Sequence, residues 1–221
     1  MKNILFLFVF AAFFTACKNE AKPTLKTSEA TDVATTTTAT TATAADVFTV
    51  DTTQSNVAWE GYEGLKLGKS EHNGTLKISS GKLDIANGSI TGGSFSIPLS
   101  SLIVLDIPAG EKRNAKLKAH LLNADFFDAE KFPTADFSIA SVAKTVGDSV
   151  AITGNLTLKG TAKSITFPAL VKLENGVLTA STPKFYINRK DWGMSYRSEN
   201  SFGDELIRPE LGLSINLISK K

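Results

Sequence analysis

From residue 47 onward, apolar side chains recur at every second position, and that alternation decides what this chain can fold into. Leu211, Leu213, Ile215 and Leu217 alternate with Gly212, Ser214 and Asn216. Val150, Ile152, Leu156 and Leu158 fall at even positions, with Thr153, Asn155, Thr157 and Lys159 at odd ones. Successive side chains of a strand point to opposite faces, so each run buries one face and wets the other. Shorter runs repeat the pattern at Phe48 and Val50, Val57 and Trp59, Leu83 and Ile85, Phe95 and Ile97, Ile165 and Phe167, and Phe185 and Ile187. Asn87-Gly88 and Asn175-Gly176 are hairpin signals, because the tightest turns need positive φ at both central residues. The result is an all-β, antiparallel chain with closely spaced turns. A sheet this long curls into a barrel or splits into a sandwich, and periodicity leaves both open.

One stretch, residues 114–137, breaks the alternation. Leu117, Leu121 and Leu122 sit at helical spacing with no Gly or Pro between them, which predicts a short amphipathic helix. Asp125 stands as the N-cap of a further helical turn, with Asp128 three residues on. Phe132 before Pro133 ends it. Phe126, Phe127, Phe132 and Phe137 then need an apolar surface, which flanking strands supply.

His120-Leu121, Asp125-Phe126-Phe127-Asp128 and Phe132-Pro133-Thr134-Ala135 resemble the YceI-like family of lipid-binding proteins. His72-Asn73-Gly74, Gly92-Gly93-Ser94-Phe95, Gly154 to Gly160 and Arg189-Lys190-Asp191-Trp192-Gly193 match in the same order. The resemblance spans roughly residues 47–218. It implies an extended lipocalin-like antiparallel β-barrel of about eight strands, with a short helical insertion around residues 114–131. It also implies an isoprenoid or similar amphiphilic lipid held with its tail inside.

Residues 1–16 read as a signal peptide: Lys2 precedes an apolar run from Ile4 to Phe14 that is too short to span a bilayer. Phe14-Thr15-Ala16-Cys17 resembles a bacterial lipobox, and Cys17 is the only cysteine. A lone thiol has no intramolecular partner, and lipidation of Cys17 explains both its solitude and its place. Residues 17–46 read as the lipidated Cys plus a disordered Thr/Ala-rich tether, short of apolar residues. Its 29 residues after Cys17 span on the order of 30 Å as a flexible coil. Residues 47–221 are the barrel domain. The expected location is a bacterial cell envelope, lipid-anchored, periplasmic or surface-exposed.

Chemistry-bearing groups are few. The formal net charge of +2 without basic clusters argues against nucleic acid as a partner. His72 and His120 are the only histidines, and neither has a ligand at metal spacing, so no metal site and no cofactor are expected. No nucleophile elbow, phosphate loop or dinucleotide fingerprint is present, and no catalytic residue is assigned. Arg189 and Asp191 lie two apart at a strand end, where they would pair, and Arg189 would offer its planar fork to a polar or phosphorylated headgroup. Residues 191–209 read as a rim loop, suited to a lid or partner surface. The expected ligand-binding set is Trp59, His72, Phe95, His120, Phe126, Phe127, Phe137, Phe167, Phe185, Arg189, Asp191 and Trp192. The function expected is a membrane-anchored lipid carrier without catalysis, and a homodimer is compatible with it. Two alternatives stand beside it: an enzyme acting on a bound lipid or quinone, and a solidly packed structural or stress-response module. An enclosed apolar cavity favours binding, and a filled interior favours the module.

Overall fold

The alternating runs become thirteen strand segments of one antiparallel sheet, in a computed structural model that describes residues 22–32, 45–63, 71–198 and 206–221. In chain order these are β1 (Ser28–Glu29), β2 (Asp46–Val50), β3 (Asn56–Glu63), β4 (Glu71–Lys77), β5 (Ser80–Ala86), β6 (Ser89–Pro98) and β7 (Ile103–Val104). The helix α1 (Lys112–Leu122) follows. Then come β8 (Thr134–Lys144), β9 (Ser149–Leu158), β10 (Thr161–Glu174), β11 (Val177–Ser181), β12 (Phe185–Asn188) and β13 (Ile207–Lys220). Hydrogen bonding runs β10-β9-β8-β6-β5-β2-β13, and β11 pairs with both β13 and β10, so the ring closes. Several segments change neighbours part-way, and together they make a closed barrel eight strands round. That resolves the choice between barrel and sandwich.

Register explains why the alternation is so clean. Lys82, Ser94, Ser138, Asn155 and Ser164 stand opposite one another across five strands, one step along from a row holding Phe95, Phe137 and Leu156. A slip of one residue would put the serines inside and the phenylalanines in water, so the pattern fixes the pairing. Both Asn-Gly pairs form turns with positive φ: 50° and 71° at Asn87-Gly88, 50° and 76° at Asn175-Gly176. A third such turn, Lys159-Gly160 at 49° and 72°, lacks the Asn that would announce it. The inward residues form a single apolar cluster that lines the barrel from β2 to β13.

Two expectations are corrected. Residues 22–32 belong to the span read as a free tether, yet they lie along the barrel. The Leu25 N–H donates to the Tyr186 carbonyl at 2.6 Å, and β1 pairs Ser28 with Ser164 and Glu29 with Lys163. Farther on, the Asn155 side chain takes the Thr31 N–H at 2.9 Å and donates to its carbonyl at 2.6 Å. Among the described residues β12 has a strand partner only in β13, and this strap occupies the seam between β12 and β10. Unpaired strand edges need partners for their N–H and C=O groups, and that demand outweighs the disorder suggested by composition. Residues 33–44 and Cys17 lie outside the described residues.

The helix also differs. It spans Lys112–Leu122, two residues earlier than the 114–131 insertion began, and it ends before Asp125. Asn123 terminates it and receives the Asp125 N–H on its side chain at 2.8 Å. Asp128, at φ 52°, sits in the left-handed region, so no second helical turn can form on Asp125. Residues 124–131 are turns instead.

Candidate functional site

The barrel encloses a cavity of about 660 Å³, within the range that accommodates small-molecule ligands. Its wall is built by the period-two pattern. Phe95, Phe137, Phe167 and Phe185 project inward from β6, β8, β10 and β12 and meet ring to ring, with centroids 5.5, 5.5 and 4.8 Å apart. Strand β9 lies between β8 and β10, and Gly154 makes the contact across it feasible. A Cβ there would sit 2.4 Å from the Phe137 ring, so only glycine lets Phe137 reach Phe167. Gly74 plays the same part opposite: a Cβ would meet the Ile103 carbonyl at 1.8 Å and the Trp59 indole at 2.7 Å. Trp59, 6% exposed, donates from Nε1 to that carbonyl at 3.2 Å and turns its ring to the cavity.

The mouth is polar and aromatic. Arg113, Lys116, Leu117, His120 and Leu121 recur at i, i+3, i+4, i+7 and i+8, so one face of α1 closes the cavity. The His120 Nε2 lies 3.1 Å from the Asp125 carboxylate, and its ring stands edge-on to Phe126 and Tyr196, each at 5.1 Å. Phe126 is buried and Phe127 half-buried, and both line the cavity. Across the mouth, His72 Nδ1 lies 2.7 Å from Asp106, which also accepts the Asn73 N–H at 2.9 Å. Burial alone would raise the Asp106 pKa, but the bonds from Asn73 and His72 outweigh it and hold it below the usual value. Glu210 behaves likewise: burial pushes it up, and the Arg208 guanidinium pulls it down further.

Of the expected set, Trp59, His72, Phe95, His120, Phe126, Phe127, Phe137, Phe167, Phe185 and Arg189 line the one cavity. Three roles change. Arg189 does not pair with Asp191. It is 5% exposed and donates to the carbonyls of Arg208 (3.1 Å), Tyr196 (2.8 Å), Ile207 (2.8 Å) and Met194. Four of its five N–H groups are thereby engaged in fastening the loop before β13, which leaves no free fork for a headgroup. Burial pulls its pKa down to about 10, so it stays charged at neutral pH. Asp191 instead accepts from the Thr27 hydroxyl of the strap at 2.8 Å. Trp192, 1% exposed, donates to the Leu156 carbonyl at 3.0 Å and is structural. The rim charges Arg113, Lys116, Arg208 and Glu210 were absent from the expected set. Helical spacing on α1 was the available signal for the first two; β13 offered none.

A sequence profile for the YceI-like domain matches residues 48–218, nearly the whole of the barrel. The chain belongs to the YceI-like family. Protein YceI of Salmonella arizonae is 39% identical over 67 residues, 30% of this chain and 35% of that protein, so the match spans about a third of the curated relative's length. Among solved structures, Burkholderia cenocepacia BcnA superposes with a TM-score of 0.60 at 21% identity, covering 76% of this chain and 98% of that one. A polyisoprenoid binding domain from Saccharophagus degradans, implicated in plant cell wall breakdown, superposes with a TM-score of 0.55 at 14% identity. It covers 78% of this chain and 97% of that domain. At these identities the likeness concerns the fold.

Proposed function

We propose that this YceI-like protein is a lipid-anchored carrier of the bacterial cell envelope that holds an isoprenoid or similar amphiphilic lipid and performs no chemistry on it. One observation carries the reading: the apolar cavity with its charged groups gathered at the mouth. A long hydrocarbon gains roughly 0.8 kcal/mol for each methylene removed from water, and a mouth with cationic and imidazole groups suits a polar end left outside. The polyisoprenoid binding of the Saccharophagus degradans domain supports the same ligand class. The packed-module alternative is disfavoured by the cavity. The enzyme alternative would rest on the His72–Asp106 and His120–Asp125 pairs at the mouth, which the carrier reading uses only as polar groups for the ligand's polar end.

Anchoring is tested by Cys17→Ser. The parent should be recovered with membranes as an acylated chain, and the variant should be released or left unprocessed. A variant that remains processed and membrane-bound as before sinks the anchoring. Extraction of the parent from its native membrane, with mass spectrometry of the organic phase, should yield a long-chain isoprenoid.

A further inference from the structure

Beside the cavity mouth lies a surface that the carrier reading does not use. The segment from Ile103 to Ile107 leads from edge strand β7 into α1, and it buries Val104 and Ile107 while leaving Ile103 44% and Leu105 60% exposed. The Leu105 N–H is fixed to the Asn73 carbonyl at 2.8 Å, and Asn114 of α1 donates to the Val104 and Ile107 carbonyls at 3.2 and 2.6 Å. The two aliphatic side chains are therefore presented on a pinned backbone, with α1 tied beside them.

The helix itself is charged against its own interest. Its eleven residues carry Lys112, Arg113, Lys116 and Lys118 and no carboxylate. Lys112 and Arg113 occupy the first turn, where the helix dipole repels cations, and no side chain caps that end. The acidic groups flanking the helix start are engaged: Glu111 by Arg113, and Asp106 by His72 and Asn73. A cationic helix flanked by exposed aliphatic side chains is the combination that binds an interface of apolar chains under anionic headgroups.

The route of the chain points the same way. The described N-terminal segment begins at Lys22, whose amino group contacts Tyr62 of the mouth. Four residues, hence five chain steps, separate it from Cys17, a reach of at most about 18 Å when fully extended. With residues 22–32 bound along the barrel, an N-terminus inserted in a bilayer holds the mouth against that bilayer, without the long separation a free tether would give.

We propose that Ile103, Leu105 and the cationic side chains of α1 form a docking surface for an anionic lipid bilayer, which sets the cavity mouth on the membrane. The inference rests on the carrier reading for its purpose, since a bilayer is where such a cargo is exchanged, while its geometry stands apart from it.

The test uses the full chain with Cys17→Ser, so that an introduced thiol is unique. An environment-sensitive fluorophore is placed at Leu105→Cys, with a control at Val146→Cys, which is 88% exposed. Each is reconstituted on vesicles of phosphatidylcholine alone and on vesicles that also contain phosphatidylglycerol, with brominated lipid as quencher. Vesicle-bound protein is isolated by flotation from each mixture before its spectrum is taken, so lipid charge is the variable. The expected result is a blue shift and quenching at 105 on the anionic vesicles, little on the neutral ones and none at 146. Lys112→Glu with Lys118→Glu should abolish the signal at 105. A probe at 105 that stays as accessible as the one at 146, or that is quenched equally on both vesicles or in the charge-reversed variant, overturns the proposal. Isoprenoid content, measured by mass spectrometry on the same samples, separates the two readings. A loaded but undocked protein removes the docking surface alone, and a docked but unloadable one removes the carrier.

Discussion

Arg189→Lys separates a loop clamp from a headgroup ligand. The guanidinium donates to the carbonyls of Arg208, Met194, Tyr196 and Ile207, closing the loop between β12 and β13. A hydrogen bond from a charged donor contributes about 1.5–3 kcal/mol, and these bonds share one buried group, so they do not add in full. Lysine keeps the charge but presents a compact head that reaches one or two of the four carbonyls. Losing at least two, with part of the cost recovered by water at the half-buried carbonyls, predicts a loss of about 2–4 kcal/mol. That is a large share of the roughly 5–15 kcal/mol by which a domain is stable. Urea unfolding should show a clearly lower midpoint at an unchanged slope. Isoprenoid binding below the transition should stay close to the parent's, for alcohol and phosphate forms alike. An unchanged midpoint with selective loss of the phosphorylated ligand would refute the clamp and return Arg189 to the headgroup.

Three other substitutions probe the site and its support. Phe126→Ala removes a buried ring packed on His120 and Tyr196 and should cost about 3–5 kcal/mol, whereas half-buried Phe127 should cost less and instead shift the preferred isoprenoid length. Equal stability losses in both, with no change in ligand preference, would take that turn out of the binding site. Leu25→Ala, in the strap, should cost about 1–2 kcal/mol, seen as a fall of a few degrees in Tm and faster amide exchange at Ser164; an unchanged Tm would show the strap to be a free tether. Asp106 has a folded pKa below the ordinary aspartate value, so its contribution is present above that ordinary value and lost as pH falls through the lowered one. The Tm gap between parent and Asp106→Asn should accordingly be full near neutrality and close in strong acid, and a gap independent of pH would contradict the assignment.

Much of the wall was legible because a strand's period of two is rigid. Phe95, Phe137, Phe167 and Phe185 could be read as inward without knowing what they touched. Their meeting depends on Gly154, whose meaning lies in a neighbour on another strand and leaves no local trace. Arg189 was misassigned for a related reason. Its partners are carbonyls, five to nineteen residues away in sequence, and a carbonyl has no side-chain signature. Residues 22–32 were hidden by averaging, since the Thr/Ala run after them dominates the composition while single residues such as Leu25 and Thr31 make the contacts. On α1, attention to the leucines and His120 passed over Arg113 and Lys116 on the same helical face.

The central claim is that the barrel interior is a lipid site, and Ala135 gives it a direct test. Its side chain is 5% exposed and faces the cavity from β8, beside the ring ladder. Ala135→Phe would place a ring in the space a hydrocarbon tail needs. Titration of parent and variant with a long-chain isoprenoid alcohol, with Tm followed in parallel, is the measurement. The account predicts saturable binding that raises the parent's Tm, and loss of both in a variant that remains folded. Equal binding by a folded variant, or a parent that neither binds nor gains stability with any isoprenoid length, would contradict it.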